Sequence, residues 1–166
     1  MIRNKLFKFI FSVVLVLLLL PFGAFTAQAA STNTIVDVAA SNPQFSTLVA
    51  AVQAAGLVDT LKGEGPFTVF APTDAAFNKL GKATIDALLA DPDTLKSILL
   101  YHAVSGKVYS GDVVKLASAK TINGADVVIT LKNNQVYINN ARVTITNILA
   151  TNGVIHVIDT VILPPQ

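Results

Sequence analysis

The sequence predicts a single α+β domain in which several short helices pack against a mostly antiparallel sheet. Apolar residues recur at helical spacing up to about residue 102, whereas β-branched residues separated by turn dipeptides dominate from about residue 120. A run of helices followed by a run of strands is typical of this fold class. The length of 166 residues also argues against two domains, because most single domains have about 100 to 150 residues.

Capping residues indicate where the helices begin. Side chains of Ser, Thr, Asn and Asp accept hydrogen bonds from the free N–H groups of a first helical turn, and proline suits its first position. The predicted starts are Asn42-Pro43, Thr73-Asp74, Thr84 and Asp91-Pro92. We expect Gly56 to end the first of these helices.

Turn dipeptides divide the second half of the chain into strands. Asn and Gly tolerate the positive φ of tight turns, so four pairs predict chain reversals. These pairs are Asn123-Gly124, Asn133-Asn134, Asn139-Asn140 and Asn152-Gly153. The predicted strands cover residues 67–71, 125–131, 135–138, 141–146 and 154–158, with a final edge strand at 161–163. Alternation in the fourth strand places Val143 and Ile145 toward the core.

The N-terminal segment has the features of a secretory signal peptide. Three basic residues precede an apolar run at 9–20, and Ala27 and Ala29 supply the small residues that a signal peptidase reads. We therefore expect cleavage after Ala29, a short leader at 30–33 and one domain at 34–166. The competing interpretation, an uncleaved anchor, is weaker because about 12 strictly apolar residues fall short of the roughly 20 that span a bilayer. No stable transmembrane anchor is expected after cleavage.

Charge and composition argue against several function classes. Removal of the predicted signal leaves nine basic and ten acidic side chains, a net charge of −1, whereas nucleic-acid binding requires a cationic face. The two histidines and the scattered carboxylates have no metal-ligand spacing, and neither Ser105 nor Ser110 lies in a nucleophile elbow. The sequence therefore predicts no nucleic-acid partner, no metal, no cofactor and no enzymatic activity.

Three short motifs resemble the fasciclin domain family. Residues 65–77 read GPFTVFAPTDAAF and residues 152–159 read NGVIHVID, and both are similar to the signature segments of that family. Tyr101-His102 lies between them, where the family carries its Tyr-His pair. The matches fall in the family's order across residues 34–163. The resemblance implies a β-sandwich wedge with short helices along it, and an adhesion-type module that is secreted or attached to a surface.

The signature residues have a structural interpretation. Thr73 and Asp74 follow a proline at a strand-to-helix junction, where side-chain oxygens suit the free N–H groups and the positive end of the helix dipole. His156 lies in an apolar strand and Asp159 follows on its other face, so polar groups satisfied inside the fold explain both. A catalytic role for Asp74 would need a partner group that the sequence does not place beside it.

Tyr101 and His102 are the candidate partner-binding residues. His102 follows Leu95, Ile98 and Leu99 at helical spacing, so we expect a buried, hydrogen-bonded imidazole. Tyr101 should then turn toward another face, where an amphipathic ring suits an interface. The resemblance implies that this pair binds cell-surface receptors, integrins among them.

The leading hypothesis is a non-catalytic adhesion module that is extracellular, periplasmic or attached to the cell surface. Its expected partner is a cell-surface protein, a matrix component or an envelope polysaccharide, bound through an exposed surface near Tyr101. The alternative is a cell-envelope module that binds a glycan or small ligand in a groove between the helices and the sheet. Competition of surface binding by a soluble sugar would favour the alternative.

Overall fold

The structure, a computed structural model, describes residues 33–165, so the predicted signal peptide at 1–29 and all but the last residue of the leader lie outside it. No helix within this range has the length and apolar character needed to cross a bilayer. The helices are α1 (Ile35–Ala40), α2 (Ser46–Ala54), α3 (Val58–Lys62), α4 (Asp74–Leu80), α5 (Lys82–Ala90), α6 (Pro92–Tyr101) and α7 (Ser110–Val113). The strands are β1 (Phe67–Pro72), β2 (Ala103–Ser105), β3 (Ser118–Lys120), β4 (Asp126–Lys132), β5 (Gln135–Ile138), β6 (Ala141–Ala150) and β7 (Gly153–Ile158).

The seven strands of the described range form one sheet with the order β2-β1-β7-β6-β5-β4-β3. β1 and β7 run parallel, whereas the other neighbouring pairs are antiparallel. A bridge between Val104 and Thr121 joins the two edge regions, so the sheet curls into a nearly closed barrel. The predicted α+β class, with a mostly antiparallel sheet and short helices along it, is confirmed.

Three of the four predicted helix starts are confirmed. The side chains of Asn42, Thr73 and Asp91 each accept a hydrogen bond from a backbone N–H of the following turn; at Asn42 that turn is a 3-10 segment before α2. The fourth is wrong, because α5 begins immediately after Gly81 and Thr84 lies inside it. The φ of 87° at Gly81 lets the chain change direction between α4 and α5 without a longer loop.

The chain packs around two hydrophobic cores, and α6 lies between them. The first core fills the space between the helices and the sheet, with Phe45, Leu48, Phe77, Leu95, Leu99 and Ile155 among its buried residues. The second fills the inside of the curled sheet, with Phe70, Tyr101, Val127, Ile138 and Ile162 among its buried residues. Since α6 contributes Leu99 to one core and Tyr101 to the other, its C-terminal end is covered on both sides.

Two strand predictions are wrong. The side chain of Ile145 is 48% exposed, because register shifts on either side of it interrupt the alternation of β6, while Val143 is partly buried against the second core. Residues 161–163 do not form a strand. The first two of them are buried, but the N–H of Ile162 donates to the ring of His102 instead of to a neighbouring strand.

Candidate functional site

The two signature segments lie side by side in the sheet. β1 belongs to the first segment and β7 to the second, and they pair in register from Phe67 opposite Gly153 to Pro72 opposite Ile158. The N–H of Phe67 also donates to the carbonyl oxygen of Asn152 at 3.0 Å. The segments that carry the family resemblance are therefore in direct contact, although they are far apart in the chain.

Asn152 ties this strand pair to the helices. Its Oδ1 accepts the N–H of Ile35 at 2.9 Å, and its Nδ2 donates to the carbonyl oxygens of Leu61 at 2.7 Å and Gly63 at 3.0 Å. The sequence predicts only a turn at Asn152-Gly153, and neither residue has a positive φ. The tethering role escapes sequence reasoning because its partners lie 89 to 117 residues away.

Gly65 and Gly153 allow the two signature segments to approach each other. A Cβ at Gly65 would collide with the carbonyl oxygen of Asn152. A Cβ at Gly153 would collide with the carbonyl oxygen of Phe67 and would lie 2.7 Å from Cδ1 of Ile35. Close backbone packing, rather than a left-handed turn, accounts for glycine at both positions.

Thr73 and Asp74 cap two different helices. Oγ1 of Thr73 accepts the N–H of Ala76 at 3.3 Å, as expected for the cap of α4. Oδ1 of Asp74 instead accepts the N–H of Thr47 at 2.8 Å, in the first turn of α2. The carboxylate thus joins α2 to α4, a contact that the local sequence does not reveal. This geometry agrees with a structural role for both residues.

His102 links the end of α6 to the C-terminal segment. The side chain is buried, with Nδ1 2.8 Å from the carbonyl oxygen of Ile98 and Nε2 accepting the N–H of Ile162 at 3.1 Å. A carbonyl oxygen only accepts, so Nδ1 carries the proton and the ring is neutral. The expectation of a buried, hydrogen-bonded imidazole is confirmed.

Tyr101 turns toward a different face from His102, as expected, but that face is covered by the second core and its ring does not reach solvent. The residue is 2% exposed because the second core covers the side of α6 to which its ring points. Its Oη donates to the carbonyl oxygen of Asp126 at 3.0 Å and accepts a hydrogen bond from Nδ2 of Asn139, also at 3.0 Å. Tyr101 therefore holds the start of β4 and the turn that precedes β6.

His156 occupies the middle of β7 and is also buried. Its Nε2 lies 2.8 Å from the carbonyl oxygen of Val108, and its Nδ1 accepts the N–H of Asn147 at 3.4 Å. The proton is therefore on Nε2, the tautomer opposite to that of His102. The ring stacks on Phe70, with centroids 5.8 Å apart and an interplanar angle of 28°. His156 fixes the segment before α7 and the irregular stretch of β6.

Burial lowers the pKa of both imidazoles. For His102 it lowers the pKa from 6.5 to about 4, although the hydrogen bond to Ile98 acts in the opposite direction. For His156 burial also lowers the pKa, against the effect of the hydrogen bond to Val108. Each ring uses both of its nitrogens in hydrogen bonds. Neither is therefore free to serve as a general base or a metal ligand in this conformation.

Asp159 accepts hydrogen bonds from neighbouring groups and lies close to two cationic side chains. Its Oδ1 accepts the N–H of Arg142 and the hydroxyl of Thr160, each at 3.0 Å, while Oδ2 lies 3.8 Å from Nζ of Lys79 and 3.6 Å from Nε of Arg142. Partial burial raises the pKa of this carboxyl group, but the two hydrogen bonds and the two cations together hold it below its ordinary value. The residue thus stays ionised and joins β6 to the end of β7.

The enclosed space between the helices and the sheet is smaller than the predicted groove. An apolar cavity of about 30 Å³ lies there, lined by α1, α2, α3, β1 and the end of α6. That volume holds about one water molecule. Within residues 33–165, no group of His, Asp and Glu side chains is arranged to bind a metal ion. The described interior therefore offers no cavity of the size of a sugar or a lipid at this position.

Comparison with known proteins identifies the family. A sequence profile described as the fasciclin domain matches residues 43–164. The chain is 50% identical over 152 residues to protein sll1483 of Synechocystis sp., covering 86% of this chain and 81% of that protein. It is 36% identical over 150 residues to the cell surface glycolipoprotein MPB83 of Mycobacterium bovis, covering 87% of this chain and 67% of that protein.

A solved structure has the same fold. It is the fasciclin domain pair of the insect cell adhesion molecule fasciclin I, with a TM-score of 0.69 and 24% sequence identity. The match covers 79% of this chain and 51% of that one, so the chain spans about half the length of the solved pair. The profile match across both signature segments and the relative at 50% identity show that the chain belongs to the fasciclin domain family.

Proposed function

We propose that this protein is a non-catalytic adhesion module, secreted or attached to the cell surface, that binds a cell-surface protein or a matrix component. The observation that carries the proposal is membership of the fasciclin domain family across residues 43–164. Two matched proteins have names that refer to cell adhesion or to the cell surface. The predicted signal peptide at 1–29 supports the same location.

The adhesive contact is proposed to lie on the turns that Tyr101 holds, rather than on its ring. We call this region the turn surface and define it as Asn123, Gly124, Asp126, Asn139 and Asn140. Helix α6 anchors it. Tyr101 bonds to Asp126 and Asn139, and Asn123 donates to Oγ of Ser97 at 3.3 Å. In this proposal Tyr101 and His102 position the contact surface, which reconciles the implied binding role of the pair with its burial.

The proposal is tested by binding of residues 30–166 to intact cells and to isolated matrix or envelope material. Asp126→Lys changes an exposed side chain of the turn surface, and Asp86→Lys makes the same change on the exposed side of α5. We expect saturable binding that Asp126→Lys weakens by about tenfold or more and that Asp86→Lys leaves unchanged.

Two results would argue against this function. Absence of saturable binding to every preparation would contradict the adhesion role itself. Equal effects of Asp126→Lys and Asp86→Lys would keep the role but remove the turn surface from it. Thermal melts of both variants serve as the control, because a folded protein is needed for either comparison.

The alternative, a glycan or small-ligand module, has less support. The interior cavity of about 30 Å³ is far smaller than typical ligand pockets, which enclose roughly 300 to 1,000 Å³. A glycan would therefore have to bind on the outer surface. Competition of cell binding by soluble sugars, measured in the same assay, distinguishes the two functions.

A further inference from the structure

The net charge of the domain is small because two parts of the chain carry opposite net charges. Residues 33–102 carry four basic and seven acidic side chains, a net charge of −3, while residues 103–150 carry five basic and two acidic side chains, a net charge of +3. The first range supplies the main helices and β1, and the second supplies β2 to β6 together with α7. The cationic half is thus a distinct part of the fold.

Exposed apolar side chains concentrate in the same cationic half. Of the nine large apolar side chains that are exposed within residues 33–165, seven lie between residues 109 and 149. Three of them flank α7: Tyr109 at 42%, Val114 at 41% and Leu116 at 41% exposure. In contrast, Val113 of the same helix is buried at 3%. The helix therefore places one valine in the core and leaves several apolar neighbours in solvent.

Topology brings the side chains that flank α7 to one end of the barrel. Ser110 bonds to Asn147 of β6 through its N–H at 2.9 Å and its hydroxyl at 2.7 Å, and Ala117 accepts the N–H of Ile129 of β4 at 2.9 Å. The segment from 108 to 117 therefore crosses from β6 to β4. It reaches the end where the β4–β5 hairpin turns, and Leu131, near the end of β4, is 54% exposed.

The same region, which we call the hairpin end and define as residues 107–117 and 131–136, also carries lysines. Lys107, Lys115 and Lys132 are all exposed there. Within residues 107–117 and 131–136 the acidic residue is Asp112, and its carboxylate lies 3.7 Å from Nζ of Lys115. The hairpin end therefore combines exposed aliphatic and aromatic side chains with a net positive charge.

We propose that the hairpin end docks onto an anionic lipid surface. Surface-bound protein segments combine apolar side chains that enter the headgroup boundary with basic side chains that face anionic lipids, and tyrosine suits that boundary. A symmetric contact with a second copy would oppose the lysines to one another. A soluble polyanion would use the lysines but not the aliphatic side chains.

This inference goes beyond the proposed adhesion function and is independent of it. β4 begins at Asp126 in the turn surface and ends at Lys132 in the hairpin end, so the two regions lie at opposite ends of the sheet. A domain docked through the hairpin end leaves the turn surface directed away from the membrane. Vesicle binding requires no protein partner, so either proposal can fail without the other.

The test is co-sedimentation of residues 30–166 with vesicles of phosphatidylcholine alone or mixed with phosphatidylglycerol. This range contains both cores, and it omits the apolar run at 9–20 that would itself enter lipid. We expect salt-sensitive binding to the anionic vesicles. The double variant Lys107→Gln and Lys132→Gln should weaken it by about thirtyfold, from the usual contribution of a lysine at an anionic membrane.

Matched variants separate the apolar contribution from general effects. Leu116→Gln should weaken vesicle binding, whereas Leu89→Gln, at 40% exposure on α5 in the anionic half, should leave it unchanged. The paired control for the lysines is Lys82→Gln with Lys96→Gln.

No preference for anionic vesicles, or equal losses in the control variants, would overturn the proposal. Binding to dextran sulfate without vesicle binding, or a dimer that Leu116→Gln abolishes, would also overturn it.

Discussion

Acidification is expected to destabilise this domain through His102, by an amount that follows from its burial. The imidazole has a pKa of about 4 in the fold and an ordinary value of 6.5 in the unfolded chain. Between these values the unfolded state binds a proton that the folded state does not, so the free energy of unfolding falls as the pH falls. The difference in pKa corresponds to about 3 kcal/mol, at about 1.4 kcal/mol for each unit.

The structural reason is the loss of one acceptor. Nε2 of His102 accepts the N–H of Ile162, and a proton on Nε2 would leave that N–H buried without a partner. His156 contributes in the same direction, because burial also lowers its pKa. Carboxylates such as Asp159, whose pKa lies below the ordinary 3.8, lose most of their contribution below that value.

Denaturant unfolding at a series of pH values measures this effect. In the native sequence the free energy of unfolding should be flat above pH 6.5 and should decline steadily toward about pH 4. In His102→Gln the decline should be smaller, and only the part due to His156 should remain. A native protein whose stability is constant across this range, or a His102→Gln variant with the full decline, would refute the assignment of a neutral, buried ring.

The signature segments provide two further predictions, both read from denaturant unfolding. Gly153→Ala should cost about 3 kcal/mol or more, because its Cβ would collide with the carbonyl oxygen of Phe67, whereas Gly111→Ala, with open space around it, should change stability by less than about 0.5 kcal/mol. Similar costs for the two glycine variants would contradict the close approach of the strands. Asn152→Ala removes three side-chain hydrogen bonds to backbone groups and should cost about 2 to 4 kcal/mol. A nearly neutral change would show that water replaces this tether.

Local signals in the sequence predict the helices and most turns of this fold. Asn42, Thr73 and Asp91 start helices because a cap needs only the next three residues. Positive φ angles at Asn133 and Asn139 likewise occur where the dipeptides predict turns. In contrast, the outward position of Ile145 depends on register shifts against β7, which the alternation of its own strand does not encode.

In the candidate site, too, the sequence predicts features that depend on nearby residues but not those that depend on distant ones. Helical spacing correctly predicts that His102 points inward, because Leu95 and Leu99 share its face. It does not predict that Tyr101 is buried as well, since that requires a second core formed largely by strands that follow in the chain. The capping of Thr47 by Asp74 is similarly invisible, because it joins residues that meet only after folding. Long-range partners, rather than residue type, limit what the sequence reveals about the site.

The position of β7 in the sheet also determines when the domain can fold. β7 separates the β1–β2 pair from the other four strands, so without residues 153–158 only the bridge between Val104 and Thr121 would join the two parts of the sheet. Its parallel partner β1 comes about 85 residues earlier in the chain, and such distant pairing is typical of slow folding. A chain that emerges N-terminus first therefore cannot complete this sheet until residues 153–158 are available.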